Sequence, residues 1–284
     1  MPRGTFRALH RVAFQGEPGA FSEQAALAFY RNRIRTKPLH CFSDVFKSVK
    51  DCTADVGIIP IENSLYGSIH QNYDLLQRYD LKIIGEVKLR VVHCLLSLPG
   101  VHLREVKRIY SHPQAIAQCE EFLNRLKKVD IVPAYDTAGA AKMISDRHER
   151  NSAAIASLQA ARVYKLKVLK RNLESDRKNY TRFLILGRKE VRPKRNAKTS
   201  VIFAAKNIPG ALFRALGVFA LRDINLIKIE SRPIAGKPWE YLFYLDFGGS
   251  RHDQVSRRAI HHLTELATSV KILGSYEQGV TIDA

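Results

Sequence analysis

Asp55-Val56-Gly57-Ile58-Ile59-Pro60-Ile61-Glu62-Asn63-Ser64 is an apolar run, interrupted by Pro60, that ends in three polar side chains. Its apolar part predicts a strand over Val56–Ile59. Polar groups just beyond the carboxyl end of a strand are where open α/β sheets hold their ligands. Asn and Ser also favour ordinary turns, so the segment alone leaves both readings open. The next residues, Gly67-Ser68-Ile69-His70, read as a loop or a helix start. Outward from this stretch, short apolar runs alternate with amphipathic ones. Further strands are predicted at Val12–Gln15, Leu81–Val87, His93–Leu98, Val106–Tyr110, Val129–Ala134, Ala153–Ala156 and Phe183–Gly187. Helices are predicted at Ser22–Arg31, Ser43–Lys50, Gln114–Leu126, Ala138–Arg147 and Leu158–Tyr164. Such alternation predicts α/β sheets covered on both faces. The excursion from about His93 to Leu169 reads as a second lobe inserted in the first.

The pattern changes after Gly187–Thr199 (GRKEVRPKRNAKT), a polar stretch carrying Pro193 that reads as a linker. Beyond it come a strand (Ser200–Ala205), a helix (Gly210–Leu221), two strands (Ile224–Ser231, Glu240–Phe247), a helix (Asp253–Leu266) and a strand (Val270–Tyr276). This β-α-β-β-α-β order is ferredoxin-like. Two helices cover only one face of such a sheet, so an exposed edge or face favours pairing with a second copy. The expected domains are therefore 11–189, a linker at 190–198 and a small module at 199–278.

The chain has 284 residues, 45% of them hydrophobic and 26% charged, which excludes a disordered or fibrous protein. No apolar run approaches the roughly 20 residues of a membrane span. The formal net charge of +19 raises the question of a nucleic-acid partner. Its distribution argues against one. The first 190 residues hold a net +13, residues 191–200 add four bases and no acid, and residues 201–284 are nearly neutral. The basic residues are not interleaved with aromatics as a single-strand platform requires. Neither nucleic acid nor membrane is expected as a partner. Cys41, Cys52, Cys94 and Cys119 lack metal-ligand spacing, which predicts reduced thiols and a cytoplasmic location. Met1–Arg11 is basic with no apolar segment behind it, too short for a secretory signal or a transit peptide.

Four turns carry a strand into a helix: Gly16–Ser22, Ser111-His112-Pro113-Gln114, Asp136-Thr137-Ala138-Gly139 and Ala156-Ser157-Leu158-Gln159. Each offers free backbone N–H groups and the positive end of a helix dipole, which attract carboxylate or phosphate. Plain N-capping explains any one of them. Four together favour an anion site. The stretch Asp176–Phe183 adds a planar cation fork at Arg182 and a neutral hydroxyl at Thr181. His70 and His112 read as structural. No Ser–His–Asp set, metal cluster or phosphate-cradling Gly-Lys motif stands out. Read from residues alone, the chain is a two-lobed anion-binding domain joined to a small α+β module.

In this order the runs GEPGAFSEQAA, GIIPIENSLYGSIHQNYDLL, SHPQAIAQC, DTAGAA, AAIASLQAARVYKL and NYTRFLILG resemble the prephenate dehydratase family, with its plant-like arogenate dehydratase branch. The run NIPGALFRALGVFALRDINLIKIESRP resembles the ACT regulatory domain. The likeness extends from Val12 to Tyr276, and no chorismate mutase bundle precedes Val12, so a monofunctional enzyme is expected. The fold class implied is α/β, with a two-lobed catalytic domain like type II periplasmic binding proteins plus a ferredoxin-like ACT domain. The reaction implied is a decarboxylating dehydration: prephenate gives phenylpyruvate, and arogenate gives phenylalanine. Aromatisation drives it, so no cofactor is expected.

The resemblance also implies residue roles. Thr181 falls on the family's catalytic threonine and would hydrogen-bond or relay a proton to the leaving oxygen. Glu62 would supply that proton if burial raises its pKa. Ser22, Asn63, Ser64, Ser111, Gln114, Thr137, Asn179, Arg182 and Phe183 would bind substrate, with Arg182 either holding a carboxylate or ordering its strand. Gly210, Ala211, Leu212, Glu230, Ser231, Arg232 and Pro233 would bind phenylalanine as feedback effector, between copies of a homodimer or homotetramer joined through ACT domains. Ile227 departs from the family pattern beside that motif, where threonine is common. The competing reading is a non-catalytic amino-acid-binding regulatory protein.

Overall fold

In the computed structural model, which describes residues 10–31, 33–234 and 236–283, the run that opens with Val56 is a strand buried along almost its whole length. A strand covered on both faces reads as a continuous apolar run, as this one does. The first elements are β1 (His10–Gln15), α1 (Phe21–Phe29), β2 (Ile34–Leu39), α2 (Phe42–Lys50), β3 (Val56–Asn63), β4 (Gly67–Ser68), α3 (His70–Arg78) and β5 (Lys82–Arg90). Next come β6 (Cys94–Ser97), β7 (Arg108–Ser111), α4 (Pro113–Gln118), α5 (Glu120–Leu123), β8 (Asp130–Pro133), α6 (Thr137–Arg147), β9 (Ser152–Ala156), α7 (Leu158–Val163) and β10 (Lys167–Lys170). The chain ends with β11 (Tyr180–Gly187), β12 (Ala197–Ala204), α8 (Ala211–Ala220), β13 (Leu226–Ile234), β14 (Lys237–Gly248), α9 (Gln254–Leu266), β15 (Ser269–Glu277) and β16 (Thr281–Ile282). Most of Met1–Arg11, the segment weighed as a leader, lies outside the described residues.

Three sheets result. The first runs β16-β5-β11-β3-β1-β2, with β4 folded back on β3. The second runs β10-β6-β9-β7-β8, and all its strands fall between Cys94 and Lys170. The third is the antiparallel order β13-β14-β12-β15. Contacts group the chain into two units: residues 1–69, 87–183 and 281–284, and residues 70–86 and 184–280. The strands β5 and β11 pass covalently from one unit to the other. Linear boundaries drawn from sequence do not anticipate that α3 and the start of β5 group with the C-terminal module.

Within the second unit, β12–β15 with α8 and α9 form the β-α-β-β-α-β module that the sequence predicts. Its core is built from Val201, Phe203, Val218, Phe219, Leu245, Phe247 and Leu263. Lys271 Nζ donates to the carbonyls of Leu76, Gln77 and Tyr79 at 3.0, 2.8 and 2.7 Å. A cation there satisfies the orphan carbonyls at the C-terminal end of α3 and complements its dipole.

Two local expectations change. The predicted helix Gln114–Leu126 breaks at Cys119, whose φ of −108° and ψ of 17° leave the helical region and separate α4 from α5. The stretch read as a linker is strand from Ala197 onward, and Lys198 is buried there with its ammonium 2.8 and 2.9 Å from the Glu86 carboxylate oxygens. Among the described residues no helix is long and apolar enough to cross a membrane. No group of three or more His, Cys, Asp and Glu among them is placed to hold a metal ion.

Candidate active site

The end of β3 and the start of β11 are stitched together by Ser64. Its N–H donates to Tyr180 O at 2.8 Å, its Oγ accepts from Tyr180 N at 2.9 Å, and its hydroxyl donates to Lys178 O at 2.7 Å. Ser64 thus fixes backbone, and every hydrogen bond it makes here is internal. Asn63 is held beside it as an Asx turn, its Oδ1 accepting the N–H groups of Leu65 at 3.0 Å and Tyr66 at 3.1 Å. Those two backbone donors settle which end of the amide is oxygen. Asn63 Nδ2 is therefore the donor to Asn179 Oδ1 at 2.7 Å, to Thr181 Oγ1 at 3.0 Å and to Tyr180 O at 3.2 Å. Because Thr181 Oγ1 accepts from Asn63, its own proton points elsewhere, and it finds no acceptor among the described residues.

Strand alternation separates the remaining candidates. Successive side chains point to opposite faces of a sheet. Asn63 meets Thr181 on one face, while Glu62 meets Arg182 on the other, Glu62 Oε1 lying 3.3 Å from Arg182 Nη1. The Arg182 side chain is only 6% exposed and its fork is turned to Glu62, which suits the second of its two expected roles, ordering the strand. Glu62, expected as the proton donor, thus lies on the opposite face of the strand from the Asn63–Thr181 contact. Phe183 is 1% exposed and packs in the core beyond Thr181.

From Asn63 the polar contacts run into the second lobe. Asn179 is fully buried, and its Nδ2 donates to Gln118 Oε1 at 3.0 Å. The same oxygen lies 2.6 Å from His93 Nε2. Phe21 meets the His93 ring edge-on, with ring centroids 5.3 Å apart. Sequence reading passed over His93 and Gln118. His93 sat in an apolar run and read as the opening of a strand, and Gln118 was one polar residue in a predicted helix. The available signal for Gln118 was its place in the SHPQAIAQC run.

Most of the predicted anion turns are capped by the chain itself. Asp136 Oδ1 accepts from Ala138 N at 2.6 Å and Gly139 N at 3.1 Å, at the start of α6. Ser157 Oγ accepts from Ala160 N at 3.0 Å at the start of α7. His112 Nδ1 accepts from Gln114 N at 3.2 Å, which leaves the exposed Gln114 side chain outward. Ahead of α1, Glu23 takes the N–H of Gly19 at 2.6 Å and the Thr36 hydroxyl at 2.7 Å. At α4, α6 and α7 these contacts are ordinary capping, the reading open for any single turn, whereas α1 has no side-chain cap and Glu23 ties down the turn ahead of it. Ser22 is buried near the start of α1, Thr137 is half-buried, and Ser111 is fully buried with its hydroxyl on Ile155 O at 2.7 Å.

The turn Gly16–Gly19 binds the second lobe closely. Ser157 Oγ donates to Gly19 O at 2.5 Å and Tyr164 OH to Pro18 O at 2.8 Å. Gly19 has a φ of +92°, and a Cβ on it would meet the Ala160 backbone at 2.6 Å, so only glycine fits. Burial pushes the Asp136 carboxyl above the ordinary carboxylate range, against the opposing pull of its two N–H partners. Burial likewise pushes the Cys94 thiol up to about 11. A buried thiol of that kind is inert.

The residues expected to bind an effector lie in the second unit. Gly210, with a φ of +74°, precedes Ala211 and Leu212 at the start of α8. On β13, alternate residues divide into two sets. Lys228, Glu230 and Arg232 are half-buried, whereas Ile227, Ile229, Ser231 and Pro233 are exposed. Arg232 donates to both Asp74 oxygens at 3.3 and 3.0 Å, and Glu230 pairs with His70 Nε2 at 3.2 Å. Their charged ends are thus turned toward α3.

Residues 12–191 match the family described as prephenate dehydratase, and residues 199–262 match the ACT domain. The chain belongs to the prephenate dehydratase family. Arogenate dehydratase/prephenate dehydratase 2, chloroplastic, from Arabidopsis thaliana is 47% identical over 283 residues, covering 96% of this chain and 74% of that protein. The prephenate dehydratase of Arthrobacter aurescens, solved in complex with L-Phe, superposes with a TM-score of 0.87 at 30% identity over 94% of this chain and 90% of its own. GqqA, described as a novel type of quorum quenching acylase, gives the same TM-score of 0.87 at 35% identity over 94% and 98%. In this member of the prephenate dehydratase family, Thr181 of the Thr-Arg-Phe run, Asn63 of the Glu-Asn-Ser run, Asn179 and Gln118 thus converge on one buried polar cluster.

Proposed function

We propose that this chain catalyses the decarboxylating dehydration of prephenate to phenylpyruvate, of arogenate to phenylalanine, or of both, and that phenylalanine regulates it through the ACT domain. The observation that carries the reading is the polarity at Thr181. Asn63 donates to its oxygen, so its hydroxyl is left as a donor to a bound molecule. In the reaction the bond from ring to carboxylate breaks and its electron pair enters the ring. The bond to the ring hydroxyl breaks at the opposite carbon, and the departing oxygen takes a proton to become water. A fixed donor at that oxygen favours the charge that develops there. The pKa of Thr181 is far too high for a free acid, so it hydrogen-bonds the leaving oxygen or relays a proton from solvent. Glu62 and Arg182 serve as a pair that orders the two strands.

The proposed domains are the dehydratase domain at 11–189, a connection at 190–198 and the ACT domain at 199–278. The exposed Ile227 and Ile229 on the edge strand β13 suit pairing with a second copy, which supports a homodimer or homotetramer. Free cysteines suit a reducing compartment, and the cytoplasm is the location proposed, although the Arabidopsis relative is named chloroplastic. A purified sample assayed with each substrate, with and without phenylalanine, tests the whole reading. Formation of an aromatic product from either substrate is expected. Binding of phenylalanine without turnover of either would instead favour the regulatory binding protein. The acylase described for GqqA has no support in the serines fixed here, since Ser64, Ser111 and Ser157 all donate to backbone carbonyls.

A further inference from the structure

His93 lies at the far end of the amide chain that leads to Thr181, and none of the roles above uses it. The direction of every hydrogen bond in that chain follows from its anchor. The N–H groups of Leu65 and Tyr66 fix Asn63 Oδ1 as acceptor, so Asn63 Nδ2 donates to Asn179 Oδ1. Asn179 Nδ2 then donates to Gln118, and the Gln118 atom facing it is Oε1. His93 Nε2, 2.6 Å from that oxygen, must carry hydrogen. The other ring nitrogen, Nδ1, is buried with no hydrogen-bond partner among the described residues. A proton there would place an unpaired charge in the interior, which costs far more than leaving the atom bare. Burial pushes the His93 pKa down to about 4, only partly offset by the bond to Gln118, so the ring is neutral near pH 7. Its backbone is held too, the His93 N–H donating to Glu174 Oε2 at 3.0 Å.

We propose that His93 is a positioning residue for the dehydration. Its Nε2–H pins Gln118 Oε1, and through Asn179 and Asn63 it keeps the Thr181 hydroxyl turned toward the substrate. The inference rests on the function proposed above. Gln118 Oε1 accepts two hydrogen bonds, from Asn179 and from His93. Without the second, the Gln118 amide is free to rotate and turn its NH₂ toward Asn179 Nδ2, so two donors face each other. Asn63 keeps its direction, held by Leu65 and Tyr66, but the displaced Asn179 no longer offers the acceptor that holds the Asn63 amide in place beside Thr181.

Two variants and one spectrum test this. His93→Phe keeps a ring against Phe21 and removes the donor, whereas His93→Gln returns an amide N–H near the position of Nε2. His93→Phe is expected to lower kcat by about 10- to 100-fold with KM changed less than about threefold. His93→Gln is expected to recover most of that loss. Thermal melts of both variants establish that they are folded. In the wild-type protein, ring-nitrogen NMR should show a neutral imidazole protonated at Nε2 from pH 8 down to pH 5. His93→Phe with normal kcat, or His93→Gln impaired as badly as His93→Phe, would overturn the proposal. So would a ring protonated at Nδ1. If the wild-type protein turns over neither substrate, the function reading falls, and the positioning role falls with it. The nitrogen spectrum then reports only on the direction of the chain. If wild type is active and the variants behave as in the overturning cases, the positioning role alone is lost.

Discussion

Lys198 and Thr181 are both buried polar residues on strands, and the structure treats them in opposite ways. Lys198 faces Glu86 as a closed ion pair, their side chains 2% and 0% exposed, and Gly279 N adds a third hydrogen bond to the carboxylate at 2.9 Å. Thr181 belongs to a run of neutral amides in which each group has one direction and the last proton is left over. A buried charge is tolerated only when its partner is complete. A neutral network can instead be fully ordered and still present one unsatisfied donor. The first arrangement holds the fold, and the second aims chemistry.

Breaking each arrangement should therefore show in different measurements. The largest effect is expected from Lys198→Met, which removes the ammonium from the buried Glu86 carboxylate and should cost about 3–5 kcal/mol of stability, read in chemical denaturation. Lys198→Met combined with Glu86→Leu should recover most of that loss. A single variant as stable as wild type would show the pair to be dispensable. Next is Thr181→Val, which keeps the shape and deletes the hydroxyl. Turnover should fall by about 10²–10³-fold with the melting temperature nearly unchanged. Near-normal turnover would remove Thr181 from the reaction.

A smaller effect comes from a third buried group, the Asp136 carboxyl, which accepts from two backbone N–H groups. Asp136→Ala should cost about 1 kcal/mol through loss of the cap on α6. Asp136→Asn keeps an equally good cap without the charge. Because burial raises its pKa in the folded protein, the stability tied to its protonated form is present at low pH. That contribution is lost as pH rises through the folded value. The Asn variant should match or exceed wild type at pH 7 and lose this part of the pH dependence; an Asn variant as weak as Ala would contradict it. The smallest effect is expected at the partly exposed pair Arg232–Asp74, where Asp74→Asn should change stability by less than about 1 kcal/mol. A greater loss would mean that the pair behaves as the buried one does.

The architecture was legible wherever periodicity was strong. The apolar runs of β1, β3, β6, β9 and β11 and both helices of the C-terminal module fell where pattern put them. The edge strand β2, sequence Ile34-Arg35-Thr36-Lys37-Pro38-Leu39, escaped because charge and a proline are what an edge strand carries and what a pattern search rejects. The site was half legible. Thr181 and Asn63 stood in recognisable runs, but their contact joins residues 118 positions apart. The pairing of Glu62 with Arg182 was hidden for the same reason. Each offers the right chemistry in isolation, and only the alternation of two neighbouring strands shows that they face each other. His93 was invisible because its role depends on which of two nitrogens bears hydrogen, a matter decided by a backbone turn near Leu65.

The neutrality of the amide chain has a consequence for how the protein meets its surroundings. A +19 surface attracts dianions through a field that dissolved ions weaken within about 10 Å at 0.1 M salt, so capture of an anionic substrate depends on the medium. The hydrogen-bonded groups that link the Leu65 and Tyr66 N–H to His93 through Asn63, Asn179 and Gln118 carry no net charge, and hydrogen bonds between dipoles at contact distance are not weakened in that way. Ionic strength should therefore alter how often a substrate arrives while leaving the aim of the Thr181 hydroxyl as it was.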